Sequence, residues 1–139
     1  YDRTNQKQND AIKRIIDSFH AADHNIAILV PWKSDVNVFE NVLDSMSVRY
    51  SVYYDDRSRF PNGCAPINNI HLTTFKSAKG LEFDTVIIPN FHKYTEICGS
   101  FNTEWNDYYV ACTRARSNLY LISNNDMPNL DLVIDKEEL

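Results

Sequence analysis

The sequence predicts an α/β fold whose mostly parallel sheet is flanked by helices, and three observations support this prediction. Apolar runs of strand length alternate along the chain with segments of helical periodicity. The stretch Asn25–Val30 is apolar almost throughout, which is typical of a central strand buried on both faces. Two further apolar runs, Ile70–Phe75 and Thr85–Ile88, flank a short polar turn. Such an alternation of helices and strands favours a parallel sheet.

The composition is that of an ordinary globular domain, with 43% hydrophobic and 24% charged residues. The net charge of −5 means that any contact with nucleic acid must come from a local basic patch. The cysteines, Cys64, Cys98 and Cys112, form no C-x-x-C pair, which argues against disulfides and zinc and favours a reducing, cytoplasmic location. The sequence shows neither a signal peptide nor a membrane-spanning run, so we expect no membrane partner. Because the chain starts at Tyr1, we interpret it as a piece of a longer protein.

The first half of the chain predicts a helix, the central strand, a second helix and a second strand. Gln6–Ala22 has apolar residues at helical spacing, and Asn25–Val30 follows it as the central strand. Ser34 or Asp35 is expected to cap the second helix. The alternating stretch Val48–Tyr54 predicts a strand near an edge of the sheet. The inward stripe of the second helix is expected to contain Val36, Phe39, Val42, Leu43 and Met46.

The second half predicts a loop, the two strands around the polar turn, a helix and a last strand. Asn90–Asn102 is expected to be irregular, and Thr103–Ala115 to form a helix. The last strand is expected over Asn118–Ser123, with a weak further strand at Leu130–Ile134. The core-facing stripe of the predicted helix contains Trp105, Tyr108, Tyr109 and Cys112.

The polar turn Lys76–Phe83 follows directly after a predicted strand. It carries two lysines, a serine, a glycine and a carboxylate, in a chain with only three glycines. Ligands of open α/β sheets bind just beyond the carboxyl ends of the strands, where we expect this turn to lie. A second polar cluster follows at Thr113–Arg116. We therefore predict that the two clusters form half of a nucleotide site.

The two clusters also carry a family resemblance. Thr74–Asp84, with its Ser-Ala-Lys-Gly-Leu-Glu-Phe, resembles motif V of the UvrD/Rep-like superfamily 1 helicases. Tyr109–Arg116 resembles their motif VI, and Asn25–Leu43 is similar to the first strand and helix of their second motor domain. The resemblance covers nearly the whole chain. It implies that residues 1–139 form a single RecA-like domain, related to P-loop NTPases, at the C-terminal end of an ATP-dependent DNA helicase or translocase.

The resemblance assigns ATP contacts to three residues. Arg114 matches the arginine that reaches the ATP bound by the first motor domain, because a guanidinium can fork onto phosphate oxygens and neutralise developing charge. Glu82 matches the carboxylate that accepts a hydrogen bond from the ATP ribose, and Gly80 would let the backbone approach the ligand. The alternatives are a surface ion pair for Arg114 or Glu82 and an ordinary turn for Gly80. For Arg116 we favour the ion pair.

Four further residues are implied to contact single-stranded DNA. Thr74, Lys76 and Ser77 match the strand end at which the family meets the DNA backbone, and Lys33 aligns with a polar contact position. The family often has histidine at the position of Lys76. Contacts of lysine with phosphate are independent of sequence and sensitive to salt. Lys79 could serve either ligand, and the alternative for every lysine is a solvated surface charge.

Some family features are missing from this sequence. It has no G-x-x-x-x-G-K-[ST] and no strand followed by paired acidic residues. ATP and Mg²⁺ are therefore expected to be bound mainly by an N-terminal RecA-like motor domain of the same protein, and this chain alone is expected to be inactive. No residue is assigned to a metal: the pair Asp55–Asp56 has no third ligand and is interpreted as a solvated turn.

Many family members carry a large accessory domain before motif V. Here only the loop Asp55–Asn69 occupies that place, so no such domain is expected. Two other functions stay open. One is a non-catalytic nucleic-acid or protein binding module that retains the fold. The other is an unrelated Rossmann-like enzyme, against which the lack of G-x-G-x-x-G after the first strand argues.

Overall fold

The computed structural model describes residues 3–19, 23–98 and 105–123. Within these residues the strands form one five-stranded, fully parallel sheet in the order β2-β3-β1-β4-β5, with helices packed against it. The predicted fold class is therefore confirmed. The strands are β1 (Ile26–Val30), β2 (Ser51–Tyr53), β3 (Ile70–Thr74), β4 (Phe83–Ile88) and β5 (Ala115–Leu121). The helices are α1 (Gln6–Ser18), α2 (Lys33–Ser45), α3 (Tyr94–Ile97) and α4 (Trp105–Cys112), with a 3-10 turn at Phe91–Lys93.

Strand β1 is central and buried on both faces, as its apolar sequence predicts. Side chains of a strand alternate between the two faces of the sheet. Ile26, Ile28 and Val30 pack in one hydrophobic cluster with the apolar stripes of α1 and α2. Ala27 and Leu29 pack on the opposite face, in a cluster that includes residues of the β3–β4 connection and of α4. The core therefore consists of two layers that share β1.

A buried polar network joins the start of α1 to the end of β4. Asn5 caps α1, since its side-chain oxygen accepts a hydrogen bond of 2.9 Å from the Gln8 backbone N–H. The Gln8 side chain is 0% exposed, and its oxygen accepts a 2.9 Å hydrogen bond from the Asn90 N–H. The Asn90 side-chain amide donates in turn to the Arg3 carbonyl at 2.7 Å. These bonds satisfy buried polar groups and fix α1 on the sheet.

The predicted caps of α2, Ser34 and Asp35, are wrong, because Trp32 is the N-cap and the helix already begins at Lys33. Asp35 instead occupies the third helical position, where its carboxylate accepts a 3.1 Å hydrogen bond from the Trp32 N–H. The carboxylate is buried and forms an ion pair with Arg3. Burial raises the pKa of Asp35, and the bond and charge of Arg3 oppose that rise.

Several other predicted boundaries differ from the structure. The helix predicted over Gln6–Ala22 ends at Ser18, and its residues 20–22 lie outside the described residues. Of the strand predicted over Val48–Tyr54, only the three residues of β2 pair with a neighbouring strand. Its predicted place at the edge of the sheet is confirmed. The segment Asn90–Asn102 was expected to be irregular, which is wrong because it contains the 3-10 turn and α3.

The last helix and strand also begin and end elsewhere than predicted. The helix ends at Cys112, not at Ala115, and the strand begins at Ala115, three residues before Asn118. The reason is the neighbouring strand, because the Phe83 N–H donates to the Arg114 carbonyl at 2.8 Å and draws this segment into the sheet. Tyr109 was expected in the core but is 51% exposed, whereas Tyr108 is buried as predicted. The predicted start of the helix at 103–104 and the weak strand at 130–134 lie outside the described residues.

The connection between β3 and β4 determines where the candidate site residues lie. β3 and β4 flank β1 on opposite sides, so residues 75–82 must cross β1 and return to the start of β4. Parallel strands are usually joined by about a dozen residues or more, but strands this short can be crossed by fewer. Phe75 and Ala78 are buried against the face that carries Ala27 and Leu29. The turn therefore starts where β3 ends and finishes where β4 begins.

Candidate functional site

The predicted site residues fall into two clusters on opposite edges of the sheet. The ends of β1 and β3 coincide, since Val30 pairs with Thr74, and the starts of β4 and β5 coincide, since Phe83 pairs with Ala115. A strand of five residues separates the two edges by roughly 16 Å. The expectation that the whole turn lies at the carboxyl ends of the strands is therefore wrong for its second half. We name the two groups the carboxyl-edge cluster (Lys33, Thr74, Lys76 and Ser77) and the amino-edge cluster (Glu82, Asp84, Arg114 and Arg116).

Arg114 lies in the turn between α4 and β5, not on the last turn of a helix as predicted. Its half-buried guanidinium donates to three oxygens: the Val110 carbonyl at 3.2 Å, the Leu81 carbonyl at 3.3 Å and Thr113 Oγ1 at 3.1 Å. Among the described residues it forms no ion pair with a carboxylate. Its direction is thus fixed by neutral oxygens, and no carboxylate of the described residues pairs with its positive charge.

Glu82 and Arg116 form an exposed ion pair. Arg116 Nε donates to Glu82 Oε2 at 3.3 Å, and the Arg116 Nη1 atom lies 3.5 Å from Asp84 Oδ1. Asp84 is itself fixed, because its Oδ2 accepts a 2.8 Å hydrogen bond from the Asn25 N–H. That hydrogen bond is the main reason why the pKa of Asp84 is lowered. The ion pair favoured for Arg116 is present, and it involves the same carboxylate that is predicted to meet the ribose.

Sequence reasoning missed Asp84 as a member of this cluster. A usable signal was its position two residues after Glu82 at the start of a strand, since residues i and i+2 of an extended chain point to the same side. Its partner Arg116 lies near the start of the adjacent strand, and no local pattern reveals that adjacency. Only the register of β4 and β5 brings the two side chains together.

Gly80 lies in the middle of the crossing turn with a φ of +81°. A Cβ atom at this position would meet no atom of the described chain within 4 Å. The left-handed backbone conformation therefore requires the glycine, and steric crowding within this chain does not. Lys79, beside it, is exposed.

The hydroxyl groups of the carboxyl-edge cluster contact each other. Thr74 Oγ1 donates to Ser77 Oγ at 3.0 Å and accepts a 3.3 Å hydrogen bond from the Ser77 N–H. Ser77 Oγ also accepts a 3.2 Å hydrogen bond from the Asp55 N–H. Thr74 is only 5% exposed, whereas Ser77 is half-buried. Thr74 thus shapes the turn from within, and Ser77 is the hydroxyl that a ligand at this edge can reach.

The two lysines of this cluster are exposed at the ends of neighbouring strands. Lys33 is the first residue of α2, and its Nζ lies 5.6 Å from the centre of the Tyr54 ring. This distance permits a favourable cation–π contact. Lys76 is the second residue after β3 and is exposed. Because β1 and β3 are adjacent, these two positive charges lie on the same edge of the sheet as Ser77.

The loop Asp55–Asn69 is attached to α2 through Arg59, a residue that the sequence did not single out. Arg59 forms an ion pair with Glu40, donates to the Tyr54 hydroxyl at 3.2 Å and lies 5.0 Å from the centre of the Phe60 ring. An arginine flanked by aromatic residues in a polar loop is the signal that could have found it. The loop therefore packs on the domain beside the carboxyl-edge cluster.

The described residues contain neither a metal-binding cluster nor a membrane-spanning helix. Within the described residues no group of three or more His, Cys, Asp or Glu side chains is arranged to hold a metal ion. The Asp56 carboxylate is used locally, accepting from the Ser58 N–H at 3.0 Å and from its hydroxyl at 2.7 Å. None of the described helices is sufficiently long and apolar to span a membrane.

Sequence comparison finds relatives of this chain among known proteins. Residues 55–126, which contain the turn Lys76–Phe83 and the segment Thr113–Arg116, match the family of UvrD-like helicase C-terminal domains. The chain is 32% identical over 89 residues to the RecBCD enzyme subunit RecB of Chlamydia trachomatis, covering 64% of this chain and 8% of that protein. It is 38% identical over 64 residues to RecB of Chlamydia pneumoniae, covering 46% of this chain and 6% of that protein. The chain thus spans less than a tenth of the length of these relatives.

Solved structures with the same fold include two ATPase or helicase C-terminal domains. The C-terminal domain of a possible DNA helicase from Lactobacillus plantarum superposes with a TM-score of 0.63 at 20% identity, covering 89% of this chain and 71% of that one. The C-terminal part of the Fun30 ATPase domain superposes with a TM-score of 0.52 at 18% identity, covering 85% of this chain and 41% of that one. These likenesses support the RecA-like fold. The match over residues 55–126, which is more than half of the chain, shows that it belongs to the family of UvrD-like helicase C-terminal domains.

Proposed function

We propose that this chain is the second motor domain of an ATP-dependent DNA helicase or translocase, in which Arg114 serves as an arginine finger. The observation that carries the proposal is the set of contacts made by the Arg114 guanidinium. Its guanidinium is fixed by the Val110 and Leu81 carbonyls and faces no carboxylate among the described residues. A cation held in this way is suited to an anionic ligand, because it need not first leave a competing ion pair.

Two members of the amino-edge cluster, Arg114 and Glu82, fit different parts of a nucleotide. ATP, bound together with Mg²⁺ mainly by an N-terminal RecA-like motor domain of the same protein, supplies the phosphoryl group that is transferred to water. Arg114 would neutralise charge that develops on the γ-phosphate oxygens. Glu82 would accept a hydrogen bond from a ribose hydroxyl, and Gly80 keeps the intervening backbone in the turn that connects both edges.

The carboxyl-edge cluster is proposed as part of the track for single-stranded DNA. Lys33 and Lys76 supply exposed positive charge at adjacent strand ends, and Ser77 supplies a reachable hydroxyl. Thr74 acts indirectly, through its hydrogen bonds to Ser77. Such contacts to phosphate carry no sequence information, which suits a protein that moves along a strand.

The proposed domain organisation follows from the loop Asp55–Asn69. It lies where many family members carry an accessory domain, and Arg59 attaches it to α2. We infer that residues 1–139 form one motor domain without such an insertion. We also infer that this chain, which has no phosphate-cradling loop of its own, does not hydrolyse ATP by itself.

The sharpest test is Arg114→Ala in the full-length protein that carries this domain. Its charge should act mainly as the γ-phosphate leaves, so chemistry should slow more than binding weakens. We expect ATP turnover to fall by a factor on the order of 10³–10⁵ while nucleotide affinity changes little. Arg114→Lys should rescue poorly, because an ammonium group cannot fork onto two oxygens. Steady-state turnover and equilibrium nucleotide binding measure the two quantities.

Lys13→Ala is the matched control, since it removes an exposed cation that pairs with Asp17 on α1. It should leave turnover unchanged. Near-normal turnover of Arg114→Ala would contradict the arginine-finger assignment. If the full-length protein bound single-stranded DNA but never hydrolysed ATP, the chain would instead be a binding module that has kept the RecA-like fold.

A further inference from the structure

The amino-edge cluster contains a chain of three contacts that ends at Glu82. The Asn25 backbone N–H holds Asp84 Oδ2 at 2.8 Å, and Asp84 Oδ1 lies 3.5 Å from Arg116 Nη1. Arg116 Nε then donates to Glu82 Oε2 at 3.3 Å. The first member is backbone directly before β1, the central strand of the sheet. The position of the Glu82 side chain is therefore linked, through Asp84 and Arg116, to the most deeply buried part of the domain.

The chain of contacts uses only one oxygen of Glu82. In the described part of the protein, Oε2 accepts from Arg116, and no hydrogen bond involves Oε1. A carboxylate held by one oxygen has its rotamer restricted while the other oxygen can still accept a hydrogen bond. Arg116 has the geometry for this task, since its guanidinium presents several N–H groups in a rigid plane that can bridge two carboxylates.

We propose that Arg116 is a positioning residue for nucleotide recognition: bridged to Asp84, it orients Glu82 so that Oε1 accepts from the ribose hydroxyls of ATP. The inference rests on the proposed ribose contact of Glu82. It adds that the specificity for a ribose depends on two residues that do not touch it. Arg116 thus differs in role from Arg114, two positions earlier, which acts on the phosphates.

The expected effect is small, because the Arg116 and Glu82 side chains are 50% and 62% exposed. Exposed ion pairs restrict side chains only weakly in water. Arg116→Ala should therefore raise the KM for ATP by roughly two- to fivefold and leave kcat nearly unchanged. Arg116→Lys should recover part of the loss, since an ammonium group can contact one carboxylate but bridges two less well.

The decisive readout is discrimination between ATP and 2′,3′-dideoxy-ATP, measured by equilibrium binding to the full-length protein. Arg116→Ala should lower the preference for ATP by the same two- to fivefold, because the oriented acceptor is lost only for the nucleotide with ribose hydroxyls. A variant that merely loosens the domain would weaken both nucleotides equally and keep the preference. Lys13→Ala, which breaks the exposed pair with Asp17, should leave the preference unchanged.

Glu82→Ala, which removes the acceptor, separates this inference from the function on which it rests. If Arg116 acts through Glu82, adding Arg116→Ala to Glu82→Ala should not reduce the preference further. An unchanged preference in Glu82→Ala alone would overturn both the ribose contact and the positioning role. A reduced preference in Glu82→Ala with none in Arg116→Ala would overturn the positioning role only. A tighter binding of ATP by Arg116→Ala would also overturn it, because Arg116 would then be blocking Glu82.

Discussion

The two edges of the sheet present polar groups in different ways. At the amino edge, the charged side chains contact polar partners: Arg114 bonds to carbonyls, and Arg116 contacts Glu82 and Asp84 at 3.3 and 3.5 Å. At the carboxyl edge, the fixed groups are the neutral hydroxyls of the threonine and serine described above, and the charges belong to exposed lysines. The same sheet therefore carries hydrogen-bonded charges at one edge and hydrogen-bonded hydroxyls beside exposed lysines at the other.

This difference fits the two proposed ligands. A phosphoryl group in transfer requires a cation at one position, so a guanidinium held in place by the backbone is suited to it. A strand of DNA that must move requires charge without a fixed geometry, which long lysine side chains supply. The turn over residues 75–82 joins the two edges directly. We therefore expect a displacement at either edge to be transmitted through this short and partly buried segment.

Among the changes that compare the two edges, the largest expected effect is on the stability of the domain. It comes from His71 in β3, a strand that runs from one edge to the other. His71 is 1% exposed, with Nδ1 2.7 Å from Ser51 Oγ and with no partner for Nε2 among the described residues. Burial lowers its pKa from 6.5 to about 4. The unfolded chain therefore binds a proton at His71 more readily than the folded chain does. The contribution of His71 to the free energy of unfolding is fully present above pH 6.5 and is lost as the pH falls toward 4. The loss is roughly 1.4 kcal/mol per unit of pKa difference.

Urea unfolding at pH values between 7 and 4 measures this loss. In His71→Gln the free energy of unfolding should differ less between pH 7 and pH 4 than it does in the unchanged protein. Because both edges share one core, they should lose protection together. Native-state hydrogen exchange can follow the Phe75 amide, bonded to Val30 at the carboxyl edge, and the Phe83 amide, bonded to Arg114 at the amino edge. Protection lost at one amide and kept at the other would show that the edges are independent.

The next effect concerns Gly80, in the turn that joins the edges. Gly80→Ala should lower the free energy of unfolding by roughly 1–2 kcal/mol, since alanine is strained at a φ of +81°. Gly63 offers a matched control, with a φ of +74° and equally open space around it. Gly63→Ala should cost about as much stability, and urea unfolding compares the two.

Only Gly80→Ala should also disturb function, because only Gly80 links the two clusters. In the full-length protein we expect it to reduce the stimulation of ATP turnover by single-stranded DNA, whereas Gly63→Ala should not. Equal stimulation in both variants would mean that the turn joins the edges in space without coupling their ligands.

The smallest expected effect is at the carboxyl edge. Lys76→Ala should reduce the slope of log affinity for single-stranded DNA against log salt by roughly 0.7, the value for one neutralised phosphate. Binding titrations at several salt concentrations give the slope, and Lys13→Ala on α1 should leave it unchanged. An unaltered slope in Lys76→Ala would identify Lys76 as a surface charge. A changed nucleotide affinity in this variant would show that nucleotide and DNA do not bind at separate edges as proposed.

Much of the fold could be predicted from sequence because its signals are local. The apolar run of β1 indicates burial on both faces, and the periodic Ile12, Ile15 and Ile16 indicate the inner face of α1; both are confirmed. The boundaries were less accurate, because tertiary pairing decides them. Strand β5 begins early since Phe83 bonds to Arg114, and α2 begins early since buried Asp35 bonds to Trp32.

By itself the sequence determined the α/β class, the central strand and the residue types of both polar clusters, because periodicity and motif order are carried by neighbouring residues. It did not determine how those residues are divided in space. Only the tertiary structure separated Lys76 from Glu82 by the length of a strand. The turn must cross β1 and return to the opposite edge before β4 can begin parallel to its neighbours. Only the register of β4 and β5 joined Arg116 to Glu82, because that contact depends on strand pairing, which no local pattern specifies.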